Sequence, residues 1–240
     1  MAILLKNGAV FLHIPKTGGS WVSKALEDQD LVKCYFSHPH ADMERVLNYP
    51  RHYFGTYLRQ RLKFGSKLHQ EIVTGYKFCF VRNPFDWYES YWRYMEGLKW
   101  KPFQQDHQQA GQLKGRNWHP TGFIEPFGAS DFNQFIRNII AHYPGYLSQL
   151  YSSYTPPGEV QFIGKQETLI DDLVQILQES NASFNEEKLR ERARQKVNKS
   201  KAQIEKPSWD PDLRQSLFAL EQAAFFRYGY SDILLPSASV

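Results

Sequence analysis

The stretch that decides the fold of this chain is His13-Ile14-Pro15-Lys16-Thr17-Gly18-Gly19-Ser20-Trp21. An apolar run over 9–12 precedes it and predicts a buried strand, and apolar side chains recur at helical spacing from Trp21 to Leu26. A strand, a glycine turn and a helix together form an anion-binding site, because the first N–H groups of a helix point out of its N-terminus. We therefore predict that a phosphate or sulfate group is held here, with Lys16 adding a positive charge.

A plainer interpretation of the same string is a tight strand-to-helix turn with a solvated lysine. The string also differs from the Walker A phosphate loop, in which the lysine follows the glycines. Here Lys16 precedes Gly18 and Gly19. The stretch therefore predicts a loop that binds a phosphate-like anion as the Walker A loop does, but with its lysine before the glycines.

The composition indicates one globular domain over 1–240. The chain has 240 residues, 42% of them hydrophobic and 15% aromatic. The net charge is only +4 and no basic run is interleaved with aromatics, so we expect no nucleic-acid partner. No stretch reaches the ~18 apolar residues of a membrane helix, and the early core strand leaves no room for a signal peptide. We therefore expect a cytoplasmic protein without a membrane partner, whose Cys34 and Cys79 are buried free thiols.

Alternating strand and helix signals predict a three-layer α/β/α fold with a central, mainly parallel sheet and a phosphate-binding strand–loop–helix. Strands are predicted at 9–14, 31–37, 75–82 and 159–164. Helices are predicted at 19–28, 42–48, 53–63, 84–97, 131–142, 145–153, 167–179, 185–195 and 210–227. The segment 98–130 shows no helical or strand periodicity, and we interpret it as an insertion or lid that contacts a substrate.

A second anion-binding pattern lies in 77–92, Lys-Phe-Cys-Phe-Val-Arg-Asn-Pro-Phe-Asp-Trp-Tyr-Glu-Ser-Tyr-Trp. Arg82 follows a predicted strand, and Pro84 suits the first turn of a helix. Ser90 lies ~9 Å further along that helix at ~1.5 Å per residue. A guanidinium and a hydroxyl on adjoining elements can hold one phosphate, with Arg82 supplying paired donors. The alternative is that Arg82 pairs with Asp86 or Glu89 and that Ser90 is only solvated.

Together, 11–21 and 80–92 resemble the two signature segments of sulfotransferases that use 3′-phosphoadenosine 5′-phosphosulfate (PAPS). The later stretch 162–173 resembles the strand–Gly–x–x–Glu–helix segment of that family, and 197–201 and 225–230 resemble the C-terminal part of its carbohydrate-type branch. The resemblance implies that the first segment binds the 5′-phosphosulfate and the second the 3′-phosphate. It assigns the first role to Lys16, Thr17, Gly18, Gly19, Ser20 and Trp21 and the second to Arg82 and Ser90, and Lys199 and Ser200 would close over the nucleotide.

The chemistry that follows is in-line transfer of a sulfuryl group to a hydroxyl of a carbohydrate or another polar small molecule, leaving adenosine 3′,5′-bisphosphate. Lys16 would stabilise the charge that builds on the leaving side. The acceptor proton needs a base, and His38 and His40 both follow a strand at the ligand-binding edge. We rank His40 first and His38 second, because 40–44 also resembles a segment of the family that often opens with histidine. His52, His107 and His119 are further candidates, and we assign His13 to orienting the first loop. We expect no metal, since no central strand ends in the aspartate that holds Mg²⁺ in phosphate-loop kinases. A nucleotide kinase and a non-catalytic nucleotide-binding protein remain the alternatives.

Overall fold

A five-stranded sheet forms the centre of the computed structural model, which describes residues 1–100, 119–194 and 204–230. Its strands lie in the order β3-β1-β2-β4-β5. β1 is antiparallel to both β2 and β3, whereas β2, β4 and β5 pair in parallel. The sheet is therefore mainly parallel, as predicted. The strands are β1 (Ile3–Leu5), β2 (Val10–Leu12), β3 (Val32–Tyr35), β4 (Lys77–Val81) and β5 (Phe162–Lys165).

Helices cover both faces of the sheet, which confirms the α/β architecture. They are α1 (Gly19–Asp28), α2 (Met43–Leu47), α3 (Tyr49–His52), α4 (Phe54–Phe64), α5 (Leu68–Thr74), α6 (Pro84–Gly97), α7 (Phe132–His142), α8 (Tyr146–Tyr154), α9 (Leu169–Glu179), α10 (Glu186–Arg194), α11 (Pro211–Leu220) and α12 (Gln222–Arg227). Short 3₁₀ helices occupy Pro120–Phe123, Glu125–Phe127 and Gln166–Thr168.

The central strand β4 shows why the sheet needs two covering layers. All five of its residues are buried. Phe78 and Phe80 point into one hydrophobic cluster, with α1 and α9, and Cys79 and Val81 point into the other, with α6, α7 and α8. Such a strand reads as a continuous apolar run because both of its faces are covered. Cys79 and Cys34 are free thiols, as predicted, and burial raises the pKa of Cys34 to about 11.

Several predicted boundaries were wrong. Strand β1 was missed because its three apolar residues are too few to show a period, and their pairing partners lie elsewhere in the chain. The predicted helix 210–227 is two helices, α11 and α12, that meet at the buried Glu221. Helices α3 and α5 were not predicted. Residues 119–130 of the supposed insertion contain two 3₁₀ helices with Pro120, Thr121 and Ile124 buried, so this part is packed into the core. Residues 101–118 lie outside the described part.

Candidate functional site

The loop between β2 and α1 has the backbone geometry of an anion-binding turn. Lys16 and Gly18 both adopt left-handed conformations, with φ of 66° and 86°. For a non-glycine residue such as Lys16 this costs ~1–2 kcal/mol, a strain that is typical of ligand-binding loops. The Thr17 hydroxyl closes the turn by donating to the carbonyl of Ile14 at 3.0 Å. The first helical bonds are donated by later amides to Gly18 O, so the N–H groups of 19 and 20 point out of the helix N-terminus.

Gly19 is required by the neighbouring ring of His13. A Cβ atom at position 19 would lie 1.9 Å from His13 Cδ2 and 2.2 Å from His13 Nε2. No side chain fits in that space, and the ring is itself buried. The packing of His13 against Gly19 therefore sets the path of the loop, which agrees with a loop-orienting role for His13.

The second motif is held in place by its backbone. Asn83 caps α6 by accepting from Phe85 N at 2.9 Å. The Tyr151 hydroxyl donates to Arg82 O at 2.8 Å, and Asn83 N donates to a carboxylate oxygen of Glu167 at 2.9 Å. The Arg82–Asn83 turn is thus fixed at the carboxyl end of β4 before any ligand arrives.

The two motifs contact each other directly. Trp87 Nε1 on α6 donates to Pro15 O at 2.7 Å, and Arg82 Nη1 lies 3.4 Å from Lys16 O. Arg82 Nε is buried without a hydrogen-bond partner among the residues described. The guanidinium therefore has a donor available for a ligand.

The alternative in which Arg82 pairs with a carboxylate of its own helix is not what the structure shows. Asp86 and Glu89 lie near Lys206 instead, at 4.0 and 3.5 Å. Glu89 also accepts from Trp209 Nε1 at 2.8 Å. Both carboxylates are therefore occupied on the other side of α6.

A cavity of about 690 Å³ lies where the two motifs meet. Of the residues predicted to form the site, eight line it: Lys16, Gly18, Gly19, Ser20, Trp21, His40, Arg82 and Ser90. Thr17 is buried within the loop, and His38 is buried beside His40, so neither forms part of the wall. Lys199 and Ser200 lie outside the described residues.

The cavity wall carries positive charge that no carboxylate neutralises. Burial first, and then the charges of Arg82 and Arg93, lower the pKa of Lys16 to about 8. Lys16 Nζ lies 4.1 Å from the centre of the Tyr94 ring. Within the described ranges neither Lys16 nor Arg82 forms an ion pair. An anionic ligand would supply the missing countercharge.

The two carboxylates in the wall already have partners. Glu167 accepts from Asn83 N and from the Tyr230 hydroxyl, each at 2.9 Å. Asp171 pairs with Arg190 at 2.8 Å. A bound anion would therefore meet the cations and hydrogen-bond donors of the wall, because its carboxylates are already occupied by other partners.

Two histidines in the cavity wall have complementary tautomers. His40 Nδ1 lies 2.9 Å from His13 O, which can only accept, so Nδ1 carries the proton and Nε2 has the lone pair. His119 Nδ1 accepts from Thr121 N at 3.2 Å, so its proton is on Nε2. The two ring centres are 4.9 Å apart. One wall of the cavity thus combines a proton acceptor with a hydrogen-bond donor.

Burial keeps both rings neutral. Desolvation lowers the pKa of His40 to about 4; the hydrogen bond to His13 O opposes this, and the charges of neighbouring groups lower the pKa further. Desolvation also lowers the pKa of His119 to about 3. His38 supports His40 from outside the cavity, since its Nδ1 accepts from His40 N at 3.1 Å.

Sequence reasoning missed part of this wall. Thr121 and His119 lie in the segment predicted to lack structure, although His119 was one of several further candidates for the base. Tyr94 also lines the cavity, and a signal for it existed: it follows Ser90 by four residues, which places both side chains on one helix face. The 3₁₀ segment Gln166–Thr168 completes the wall from the end of β5.

The fold and the site define an α/β protein with a cavity that is lined by Lys16 and Arg82 at the carboxyl ends of parallel strands. The family model described as "Sulfotransferase family" matches residues 3–231, and the chain belongs to this family. The family supports sulfuryl transfer as the general activity. Searches of curated proteins and of solved structures give no match. Among the described helices, none has the length and apolar character needed to cross a membrane.

Proposed function

We propose that the protein transfers a sulfuryl group from PAPS to a hydroxyl of a carbohydrate or another polar small molecule. The observation that carries the proposal is the junction of the two motifs. Arg82 contacts the carbonyl of Lys16, and both residues line the cavity, while Arg82 Nε is without a partner in the described part of the chain. One ligand with negative charge at both ends would satisfy both motifs at once.

The residues present suit such a donor. The backbone amides of the first loop and Lys16 would bind the phosphosulfate end of the donor, because a helix N-terminus favours anions. Arg82 and Ser90, which line the same cavity, would bind the 3′-phosphate of the donor. The cavity volume of about 690 Å³ lies in the ~300–1,000 Å³ range of small-molecule sites.

When bound, PAPS supplies an activated sulfuryl group. His40 Nε2 is the proton acceptor for the hydroxyl of the substrate, since its other nitrogen is committed to His13 O. His119 Nε2–H is a donor that orients the acceptor oxygen. Lys16, mostly protonated at neutral pH with a pKa of about 8, stabilises negative charge on the leaving side.

The wall also favours a class of acceptor. Glu167 and Asp171, the carboxylates that line the cavity among the described residues, are both engaged. Glu167 keeps its charge, but it already accepts from Asn83 N and the Tyr230 hydroxyl, and Asp171 is paired with Arg190. A protonated amine would have to compete with these partners for a carboxylate, whereas a neutral or anionic alcohol would not. We therefore propose an alcohol acceptor rather than an amine.

Nucleotide binding is the first test. Adenosine 3′,5′-bisphosphate at one hundred times its Kd should stabilise the protein by ~2.7 kcal/mol, measured by thermal shift and calorimetry. Arg82→Gln should weaken this binding by ~1.5–3 kcal/mol but leave the affinity for adenosine 5′-monophosphate nearly unchanged. Arg137→Gln, at an exposed pair with Asp210, is the matched control. Stabilisation by ATP with Mg²⁺ alone would indicate a kinase instead.

Turnover is the second test. Radiolabelled sulfur from PAPS should appear in an acceptor when sugars, phenols, steroids and amines are screened. Tight binding of adenosine 3′,5′-bisphosphate without transfer to any acceptor would favour a non-catalytic nucleotide-binding protein. Transfer to amines in preference to alcohols would contradict the proposed acceptor class.

A further inference from the structure

An apolar stripe lies exposed on α4, and none of its residues lines the cavity. Phe54, Leu58 and Leu62 are 66%, 41% and 81% exposed. They are four residues apart, so each is turned only ~40° from the last and all three share one helix face. No other helix among the described residues presents three large apolar side chains to solvent. We call these three residues the α4 stripe.

The helix itself is firmly attached, so the stripe is a surface rather than a displaced core element. Tyr53 and Tyr57 are buried on its inner side. Gln60 Nε2 donates to Tyr35 O at 2.7 Å, which fastens α4 to the edge strand β3. The outward position of the stripe therefore follows from packing on the opposite face.

Along the chain, the segment that carries the stripe has charges of a single sign, and the carboxylates that bound it, Glu44 and Glu71, contact His52 and Lys33. In space, Glu27 and Asp30 share a groove with Lys63 at the C-terminal end of α4. Residues 45–70 contain six Lys and Arg and no Asp or Glu, more positive charge than the +4 of the whole chain. Five of the six are exposed and form no ion pair within the described ranges: Arg51, Arg59, Arg61, Lys63 and Lys67. Neither Arg59 nor Arg61 lines the cavity.

Apolar side chains bordered by unpaired cations fit one kind of partner. A second copy of this chain would bring two such basic surfaces together, which like charges oppose. A polyanion such as an acidic glycan would satisfy the cations but leave the α4 stripe in water. An anionic bilayer satisfies both, since acyl chains accept the apolar groups and head groups pair with the cations.

We propose that the α4 stripe and its surrounding cations bind the surface of an anionic lipid membrane. The helix would lie in the interface, with Phe54, Leu58 and Leu62 at the boundary of head groups and acyl chains. Binding of this kind needs no spanning segment. It replaces the expectation of no membrane partner, and it is independent of the proposed reaction.

Vesicle sedimentation with the full chain tests the proposal. Binding should be strong to vesicles of phosphatidylcholine with phosphatidylserine, weak to phosphatidylcholine alone, and lost at ~1 M salt, where the Debye length is ~3 Å. Arg59→Gln/Lys63→Gln should lower the partition coefficient about 30-fold, because each cation near such a surface contributes appreciably. Leu58→Ser/Leu62→Ser should lower it by about 10-fold or more.

Matched controls separate this site from general stickiness. Phe226→Ser removes another exposed apolar side chain, 59% exposed on α12, and Lys6→Gln/Lys24→Gln removes two exposed cations elsewhere. Neither should change binding. Circular dichroism and the melting temperature establish that each variant is folded.

Three results would overturn the proposal. The first is no retention on phosphatidylserine vesicles, or retention that both α4 variants leave unchanged. The second is retention by a heparin column that depends on the cations but not on Leu58 and Leu62, since that would indicate an acidic polymer. The third is a dimer in solution that Leu58→Ser/Leu62→Ser dissociates.

Discussion

His40 should make the folded protein sensitive to acid, and replacing it with Asn should remove part of that sensitivity. Burial lowers the pKa of His40 to about 4 in the folded protein, whereas the ordinary pKa of histidine is 6.5. As the pH falls below 6.5, the unfolded chain takes up this proton first. The contribution to stability is therefore intact above pH 6.5 and is lost progressively as the pH falls toward 4.

The size of the effect follows from the two pKa values. At about 1.4 kcal/mol per pKa unit, the difference between 6.5 and about 4 corresponds to ~3 kcal/mol for His40. This is a large share of a domain stability of ~5–15 kcal/mol. His13 and His119 also have lowered pKa values and act in the same direction, while the raised pKa values of Asp42 and Glu221 act in the opposite one.

A comparison of two proteins isolates the term that belongs to His40. In His40→Asn the amide N–H can still donate to His13 O, but the side chain no longer titrates. Urea unfolding followed by tryptophan fluorescence should give free energies that fall more steeply with pH in the wild type. The difference in slope should approach ~1.4 kcal/mol per pH unit between pH ~6.5 and ~4. Parallel curves for the two proteins would refute a lowered pKa at His40.

Three further changes test the loop, the donor histidine and the core. Gly19→Ala should weaken binding of adenosine 3′,5′-bisphosphate in calorimetry, because the new Cβ would lie 1.9 Å from His13 Cδ2, whereas Gly122→Ala, with open space, should not. His119→Ala should lower kcat, and His119→Gln should restore part of it by supplying an N–H at a similar position; equal losses would contradict a donor role. Glu221→Ala should cost more than ~3 kcal/mol in urea unfolding, because its carboxylate accepts from the Tyr88 hydroxyl, two backbone amides and the Ser148 hydroxyl; a loss below ~1 kcal/mol would contradict this.

The sequence predicted the elements whose signals are local. Helix α6 begins at Pro84 because Asn83 caps it and proline suits its first turn, and both residues are visible in the string. Helix α1 has no side-chain cap, but it begins directly after Gly18, whose left-handed backbone suits glycine and which is also visible in the string. Strand β1 has no such signal, because its stability comes from pairing with β2 and β3 across the sheet. Most helices could therefore be predicted from local sequence signals, whereas β1 could not, because it depends on pairing with distant strands.

The candidate site divides in the same way. Parallel strands bring their carboxyl ends to one edge, so Lys16 and Arg82 could be expected to meet there. The choice between His38 and His40 could not be made from spacing, since both follow the same strand. It is set by the cavity, which His40 lines and His38 does not. The tautomers of His40 and His119 could not be predicted from the sequence either, because they depend on backbone atoms of His13 and Thr121 that only the fold positions.

His13 connects the two halves of the proposed chemistry. Its ring excludes any side chain at Gly19 and so shapes the anion-binding loop, while its carbonyl accepts from His40 Nδ1 and so fixes the nitrogen that receives the acceptor proton. A shift of the loop on binding a donor would therefore move the base as well. Because one residue sets both positions, changes in the loop should alter turnover as well as nucleotide affinity. Changes at His40 that preserve its bond to His13 O should alter turnover but leave the nucleotide affinity nearly unchanged.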